Sequence, residues 1–335
     1  MSPARHLVAL LANPARAAEV ADWPELLTAA RAESLLGSLA CRLEGEAVPA
    51  KVEQILDEAR RDSRQARTQA VWEAEMARRA LAPTGAPVIL LKGTAFAVAG
   101  LAAAEGRSIG DLDILVPHDR LDEVQQALLA AGWEWVKDSD YDDLYYRRWM
   151  HELPPLIHKT RDRMIDVHHT ILPLTARPTP NADALIGAAM PLENGLYTLS
   201  HEDMIVHAAA HLLADGDLAG GLRNLWDIDR LLRQFAAADE RFWARLGERA
   251  RLHQLGPAVA RALRLARRLY GTPVDPGLAG AWRPSDRLFE RRLLARNGWG
   301  QPTRKALRLA FYVRSHWLRM PPLLLARHLW TKATG

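Results

Sequence analysis

Asp111-Leu112-Asp113-Ile114-Leu115-Val116 places two carboxylates two positions apart in a run of strand-forming residues. Successive side chains of a strand point to opposite faces, so Asp111 and Asp113 share one face while Leu112 and Ile114 take the other. Two like charges side by side repel, and a fold tolerates them best with a cation between them. Hard carboxylate oxygens suit Mg2+ or Mn2+. Met164-Ile165-Asp166-Val167-His168 is a second apolar strand candidate, with Asp166 and His168 on one face and Ile165 and Val167 on the other. If the two strands are neighbours, three aspartates share one cavity. Leu91-Lys92-Gly93-Thr94 lies between a strand candidate and a helix candidate. A glycine there lets a phosphate approach the backbone, and the helix start offers free N–H groups and a favourable dipole. Thr94 adds a hydroxyl and Lys92 a positive charge.

These residues need elements to position them. Residues 1–82 are rich in Ala, Leu, Arg and Glu, with apolar positions recurring at three and four, which predicts helices. Pro83, Gly85 and Pro87 break that pattern. Val88–Leu91 is then a buried strand, closed by Gly93. Thr94 to Ala104 is a small-residue helix with Thr94 as its cap. Leu112–Val116 is a strand stopped by Pro117, and 118–131 an amphipathic helix ended by Gly132. Further strands are expected at Trp133–Val136, Leu144–Met150, Leu156–Lys159 and Met164–Ile171. Helices return after Ser200, which can cap one, over 222–235 and 242–270. The fold class is therefore α/β (α+β): a small mixed-sheet core flanked by N-terminal and C-terminal helical regions. Four parts are expected: 1–82 helical, 83–175 the core, 176–282 a helical part completing a cleft, and 283–335 basic amphipathic helices.

The composition narrows the function classes. At 335 residues, 49% hydrophobic and 25% charged, the chain can bury a sizeable core and is not a disordered tract. Cys41 is the only cysteine, so no internal disulfide and no all-cysteine metal site can form. The opening residues lack a basic signal-peptide start, and the longest uncharged apolar run, 94–104, is far short of the ~20 residues that span a bilayer. A cytoplasmic protein, not transmembrane, is the expectation. Net charge is +4, yet 283–332 carries twelve basic residues against Asp286 and Glu290. Such a stretch is either a solvated helical face or a site for an anionic partner.

The ordered set Gly93-Thr94, Asp111-Leu112-Asp113-Ile114 and Ile165-Asp166-Val167 resembles the signature of the polymerase-beta-type nucleotidyltransferases. The fuller string LLKGTAFAVAG, RSIGDLDILV, IDVHHTIL, LSHEDMIVHAAAHLL and LRNLWDIDRLL is similar to a bacterial branch, the NTP_transf_5-type nucleotidyltransferases. The resemblance covers Val88 to Leu232. It implies that NMP passes from an NTP, with ATP the first expectation, to a hydroxyl acceptor as pyrophosphate leaves. It implies that Asp111 and Asp113 bridge two divalent ions and Asp166 holds the catalytic one. Asp166 is also a candidate to take the acceptor's proton. Gly93 and Thr94 would contact phosphates, Lys92 and Arg107 would neutralise them, and His168 would line the nucleotide site. The acceptor is left open among RNA, protein, peptide and small molecule.

Other residues carry weaker signals. His207 and His211 have zinc-ligand spacing, but Ala208 stands where H-E-x-x-H needs glutamate, so packing near the nucleotide pocket is the better reading. His169 is expected to be structural, and His151 and His158 have no clear partners. Asp227 and Asp229 repeat the D-x-D spacing on a helix, where positions two apart diverge by about 200° and cannot clamp one ion. They are read as surface or helix-packing residues. No G-x-S-x-G elbow and no G-x-x-x-x-G-K-[ST] loop occurs. Two alternatives compete with the enzyme: a catalytically inactive nucleotide-binding protein of the same fold, and a nucleic-acid-binding protein acting through its basic C-terminus.

Overall fold

The structure, a computed structural model, describes residues 2–136 and 146–319. Four helices come first: α1 (Pro3–Ala12), α2 (Trp23–Ala32), α3 (Leu36–Arg42) and the long α4 (Ala50–Leu81). Asp22 caps α2 by accepting from the Glu25 N–H at 2.9 Å, with Pro24 in the first turn where its missing N–H costs nothing. The 3-10 turn Ala82–Thr84 and Gly85 at φ +64° end α4.

The core follows as β1 (Ile89–Leu90), α5 (Lys92–Val98), β2 (Leu112–Leu115), α6 (Leu121–Ala130), β3 (Trp133–Trp135), β4 (Leu156–His158) and β5 (Met164–His168). After it come α7 (Ala182–Gly187), β6 (Met190–Pro191) and β7 (Tyr197–Thr198). The seven strands form one mixed sheet in the order β3-β4-β5-β2-β1-β7-β6. β2 pairs parallel with β5 and antiparallel with β1, and β7 joins β1 in parallel. Ile114, Ile165 and Val167 are fully buried on one side of the central strands, which fixes the register, since a one-residue slip would turn them outward.

Helices then follow among the described residues: α8 (His201–Ala210), α9 (Gly221–Ala238), α10 (Phe242–Leu252), α11 (Gly256–Tyr270), α12 (Pro276–Ala279), α13 (Asp286–Leu293) and α14 (Lys305–Arg319). Ser200 caps α8 as expected, accepting from the Asp203 N–H at 3.2 Å. A π-helical segment, His211–Asp215, continues α8. α1 packs on α11, so the first helix meets the later helical part. No helix among the described residues is long and apolar enough to cross a membrane.

Several local expectations are corrected. α5 starts at Lys92, so Gly93 lies inside the helix and Thr94 is not its cap. The helix breaks at Gly100 (φ +65°), and Ala102–Ala104 is a separate 3-10 turn. Residues 146–149 are helical rather than extended, while 144 and 145 lie outside the described residues. β5 stops at His168 instead of Ile171. The two-residue strands β6 and β7 are too short for a periodic signal, yet they extend the sheet beyond residue 176. The stretch 242–270 divides into α10 and α11, with Gln254 at φ +58° in the turn between them.

Candidate active site

The parallel pairing of β2 with β5 sets Asp113 opposite Asp166, and Asp111 precedes β2 by one residue. One carboxylate oxygen from each of the three aspartates lies within 4.8 Å of the others. Asp113 is buried, Asp166 partly buried and Asp111 exposed, so the cluster opens to solvent at Asp111.

Lys92 closes the buried end. The Leu91 N–H donates to the Asp113 carbonyl at 2.9 Å and extends the β1–β2 ladder by one residue. Lys92 then adopts φ +49°, a left-handed conformation that costs a non-glycine residue on the order of 1–3 kcal/mol. From that turn its Nζ reaches Asp113 Oδ1 at 2.5 Å. His168 Nε2 meets the same oxygen at 3.0 Å. Burial opposes ionisation of Asp113, but the His168 hydrogen bond and the Lys92 charge outweigh it and hold its carboxyl far below the ordinary range. Asp166 makes no ion pair among the described residues, and the nearby His168 offsets only part of what raises it. Burial first, and then the Asp113 carboxylate, push it up to about 7. This crowding is what a divalent cation would relieve, and the all-oxygen donor set suits a hard ion. The three residues therefore fit a metal of that class.

A cleft opens beside Lys92, between the β1–α5 corner and helices α8 and α9. Leu90, Phe96 and Met204 give it apolar walls, and Lys92, His207 and Asn224 face it as polar groups. Burial keeps His207 neutral, well below its ordinary value. Arg107 reaches the same cleft across Gly93, where a Cβ would come within 2.5 Å of Arg107 Nε. Arg107 Nη1 is held by Asp227 Oδ2 at 2.7 Å, and Arg223 grips Oδ1 of the same carboxylate through Nε at 3.0 Å and through Nη2.

Residues 19–271 match the model of a family described as uncharacterised nucleotidyltransferase. The chain belongs to this family. No curated protein matches it. The match takes in α2 to α4 at one end and α11 at the other, well beyond the stretch that carries the sequence signature. At the level of the family, the protein is a nucleotidyltransferase.

The expected site residues divide into three places. Asp111, Asp113, Asp166, Lys92 and His168 come together. Arg107 joins Lys92 in the cleft, but as half of an ion pair. Gly93 lies under Arg107, and Thr94 faces a separate small pocket with Asp111, Ile109 and Arg163; its buried Oγ1 has no hydrogen-bond partner. His207 and His211 line the cleft. His169 is structural: it packs edge-on against His118 at 4.8 Å, and burial lowers it to about 4.

Three residues read from the sequence as surface, packing or unpartnered positions have contacts that only the fold shows. Of the two readings, surface or helix packing, Asp227 takes the second: it is buried and anchors two arginines. Asp229 is fully buried too, accepting from Arg230, Arg233 and Thr272. His151 does have partners: its ring sits 5.2 Å from that of His168, and its Nε2 is 3.7 Å from Glu152. A His-Glu pair two residues past a helical turn carries no periodic signal, so this contact was invisible. The basic C-terminal stretch is partly spent inside the protein. Arg296 pairs with Glu33 at 2.6 Å, and Arg314 donates to the Leu213 carbonyl at 2.8 Å. Arg292 is buried near Asp217. Arg283, Arg287, Arg291, Arg304 and Lys305 stay exposed, while Arg327, Lys332 and Trp330 lie outside the described residues.

Proposed function

We propose that the protein transfers NMP from an NTP, ATP first among them, to a hydroxyl group and releases pyrophosphate. The acceptor oxygen bonds to the α-phosphorus, the bond to the bridging oxygen breaks, and the acceptor's proton is lost. The observation that carries this reading is the Asp111–Asp113–Asp166 cluster, with all three carboxylates within 4.8 Å beside a cleft holding Lys92. Asp111, Asp113 and Asp166 would hold Mg2+ or Mn2+. When bound, such an ion polarises the α-phosphate and lowers the pKa of the attacking hydroxyl. Lys92 has a second role in this reading. Burial pulls its ammonium down, but Asp113 and Asp111 hold it raised and charged, so it can exchange Asp113 for a phosphate oxygen. The apolar walls of the cleft suit a nucleobase, with α8 and α9 completing its enclosure. A cytoplasmic setting fits the single reduced cysteine.

The test is label transfer into a cell extract with Mg2+, using each α-labelled NTP and γ-labelled ATP as control. Movement of the α-label, none of the γ-label, and loss of transfer in Asp111→Ala/Asp113→Ala is the expected result. A second reading, a nucleotide-binding protein without turnover, is favoured by one observation: Lys92 and His168 already satisfy Asp113 Oδ1. NTP binding without transfer of either label would select it.

A further inference from the structure

Residues 151–153 lie antiparallel to the end of β5. Glu152 bridges to His168, the Leu153 N–H donates to the Val167 carbonyl at 2.9 Å, and the His169 N–H donates to the His151 carbonyl at 2.9 Å. This pairing brings three side chains to one point outside the aspartate cluster. Glu152 Oε2 lies 3.3 Å from His168 Nδ1 and 3.7 Å from His151 Nε2. One donor atom from each of the three residues falls within 4.8 Å of the others.

The hydrogen bonding of His168 decides what these atoms can do. Its Nε2 faces Asp113 Oδ1 at 3.0 Å, and a carboxylate oxygen accepts, so the proton sits on Nε2. Nδ1 is then the ring atom left to meet a further ligand. That nitrogen is buried without a hydrogen-bond partner and looks at the Glu152 oxygen. A metal ion between that nitrogen and the Glu152 carboxylate would satisfy both. Bonds of about 2.0–2.1 Å in a tetrahedral shell put neighbouring donors roughly 3.3 Å apart, close to the observed spacings. A carboxylate behind a ligating imidazole, as Asp113 stands behind His168, fixes the tautomer of metal-binding histidines.

We propose that His151, Glu152 and His168 form a binding site for a borderline divalent ion of the Zn2+ class, distinct from the all-carboxylate cluster. Two imidazoles and one carboxylate prefer such an ion, whereas three carboxylates prefer Mg2+. Three protein donors leave one coordination position for water. The ion's charge on Nδ1 strengthens the Nε2–H bond to Asp113, so occupancy of this site reaches the aspartate cluster through one ring.

The test uses the full chain stripped of metal, held in excess Mg2+ to fill the carboxylate cluster, and titrated with Co2+ as a coloured substitute for Zn2+. One Co2+ per chain should bind with the intense visible bands of tetrahedral coordination, and Zn2+ should displace it. Asp111→Ala should keep those bands. His151→Ala and the near-isosteric Glu152→Gln should lose them, and Asp113→Asn should weaken binding about 10–100-fold. Absence of the bands in the natural chain overturns the site. So does their survival in Glu152→Gln, which decides the matter if His151→Ala fails to fold.

Discussion

Asp227 is the most exacting point at which to test the reasoning about the cleft. Its carboxylate is buried and receives Arg107 on one oxygen and Arg223 on the other; the side chains of Asp227, Arg223 and Arg107 are 5%, 6% and 14% exposed. Asp227→Ala removes the only carboxylate that either guanidinium meets among the described residues and leaves both short of a counter-charge, with Arg223 buried. Breaking one side of a buried pair costs about 3–5 kcal/mol, because the stranded charge keeps its desolvation penalty. Asp227→Asn preserves shape and one accepting oxygen, so roughly half that loss is expected. At about 2–4 °C per kcal/mol for a chain somewhat shorter than this one, the alanine variant should melt on the order of 5–10 °C lower. Thermal unfolding by circular dichroism reads this directly, with Arg107→Ala/Asp227→Ala alongside. Removing Arg107 as well relieves one stranded charge, so the double variant should recover part of the loss. A shift below about 1 °C for Asp227→Ala, or a double variant less stable than the sum of the singles, would refute the account of Asp227 as anchor of the cleft's arginines.

Gly93→Ala should change sign with its neighbour. A Cβ at Gly93 would sit 2.5 Å from Arg107 Nε, and Asp227 prevents that arginine from simply swinging away. A loss of about 1–3 kcal/mol in denaturant unfolding is expected. With Arg107→Ala the clash vanishes and only the helix preference for alanine remains, so the same change should stabilise by roughly 0.5–1 kcal/mol. A loss in both backgrounds would show that the clash lies elsewhere. Asp286 should govern part of the acid stability. Burial opposes its ionisation, but Arg264, the Arg283 N–H and Arg261 lower it from 3.8 to about 2. A carboxyl depressed by folding contributes stability above its unfolded pKa and loses it as pH falls through the folded one. The contribution, on the order of 2 kcal/mol, should be intact above pH 4 and gone near pH 2. Stability curves of Asp286→Asn and the natural chain should therefore converge as the pH is lowered across that window; parallel curves would contradict the assignment.

The sequence by itself determined the helical flanks, the central strands and the three aspartates, because each rests on a local rule. Alternation puts Leu112 and Ile114 opposite Asp111 and Asp113, and Ile165 and Val167 opposite Asp166. Burying the apolar set leaves the carboxylates together whenever the two strands are neighbours. Helix caps such as Ser200 are equally local. What sequence could not supply is whatever depends on two distant segments meeting. The parallel β2–β5 pairing that sets Asp113 against Asp166 spans more than fifty residues of chain. β6 and β7 are two residues each, too short to show a period, and exist because β1 offers an open edge. Asp227 reads as a polar helix residue until Arg107, from a loop far upstream, is folded against it. Lys92 shows no sign in the sequence of its left-handed backbone; that conformation is sustained by the Asp113 carboxylate it reaches. Glu152 and His168 likewise become partners only through a strand bridge with no sequence signature. Local chemistry thus names the carboxylates, while the charges that surround them are assigned by tertiary contacts, since a buried charge takes its counter-ion from whatever segment the fold brings within reach.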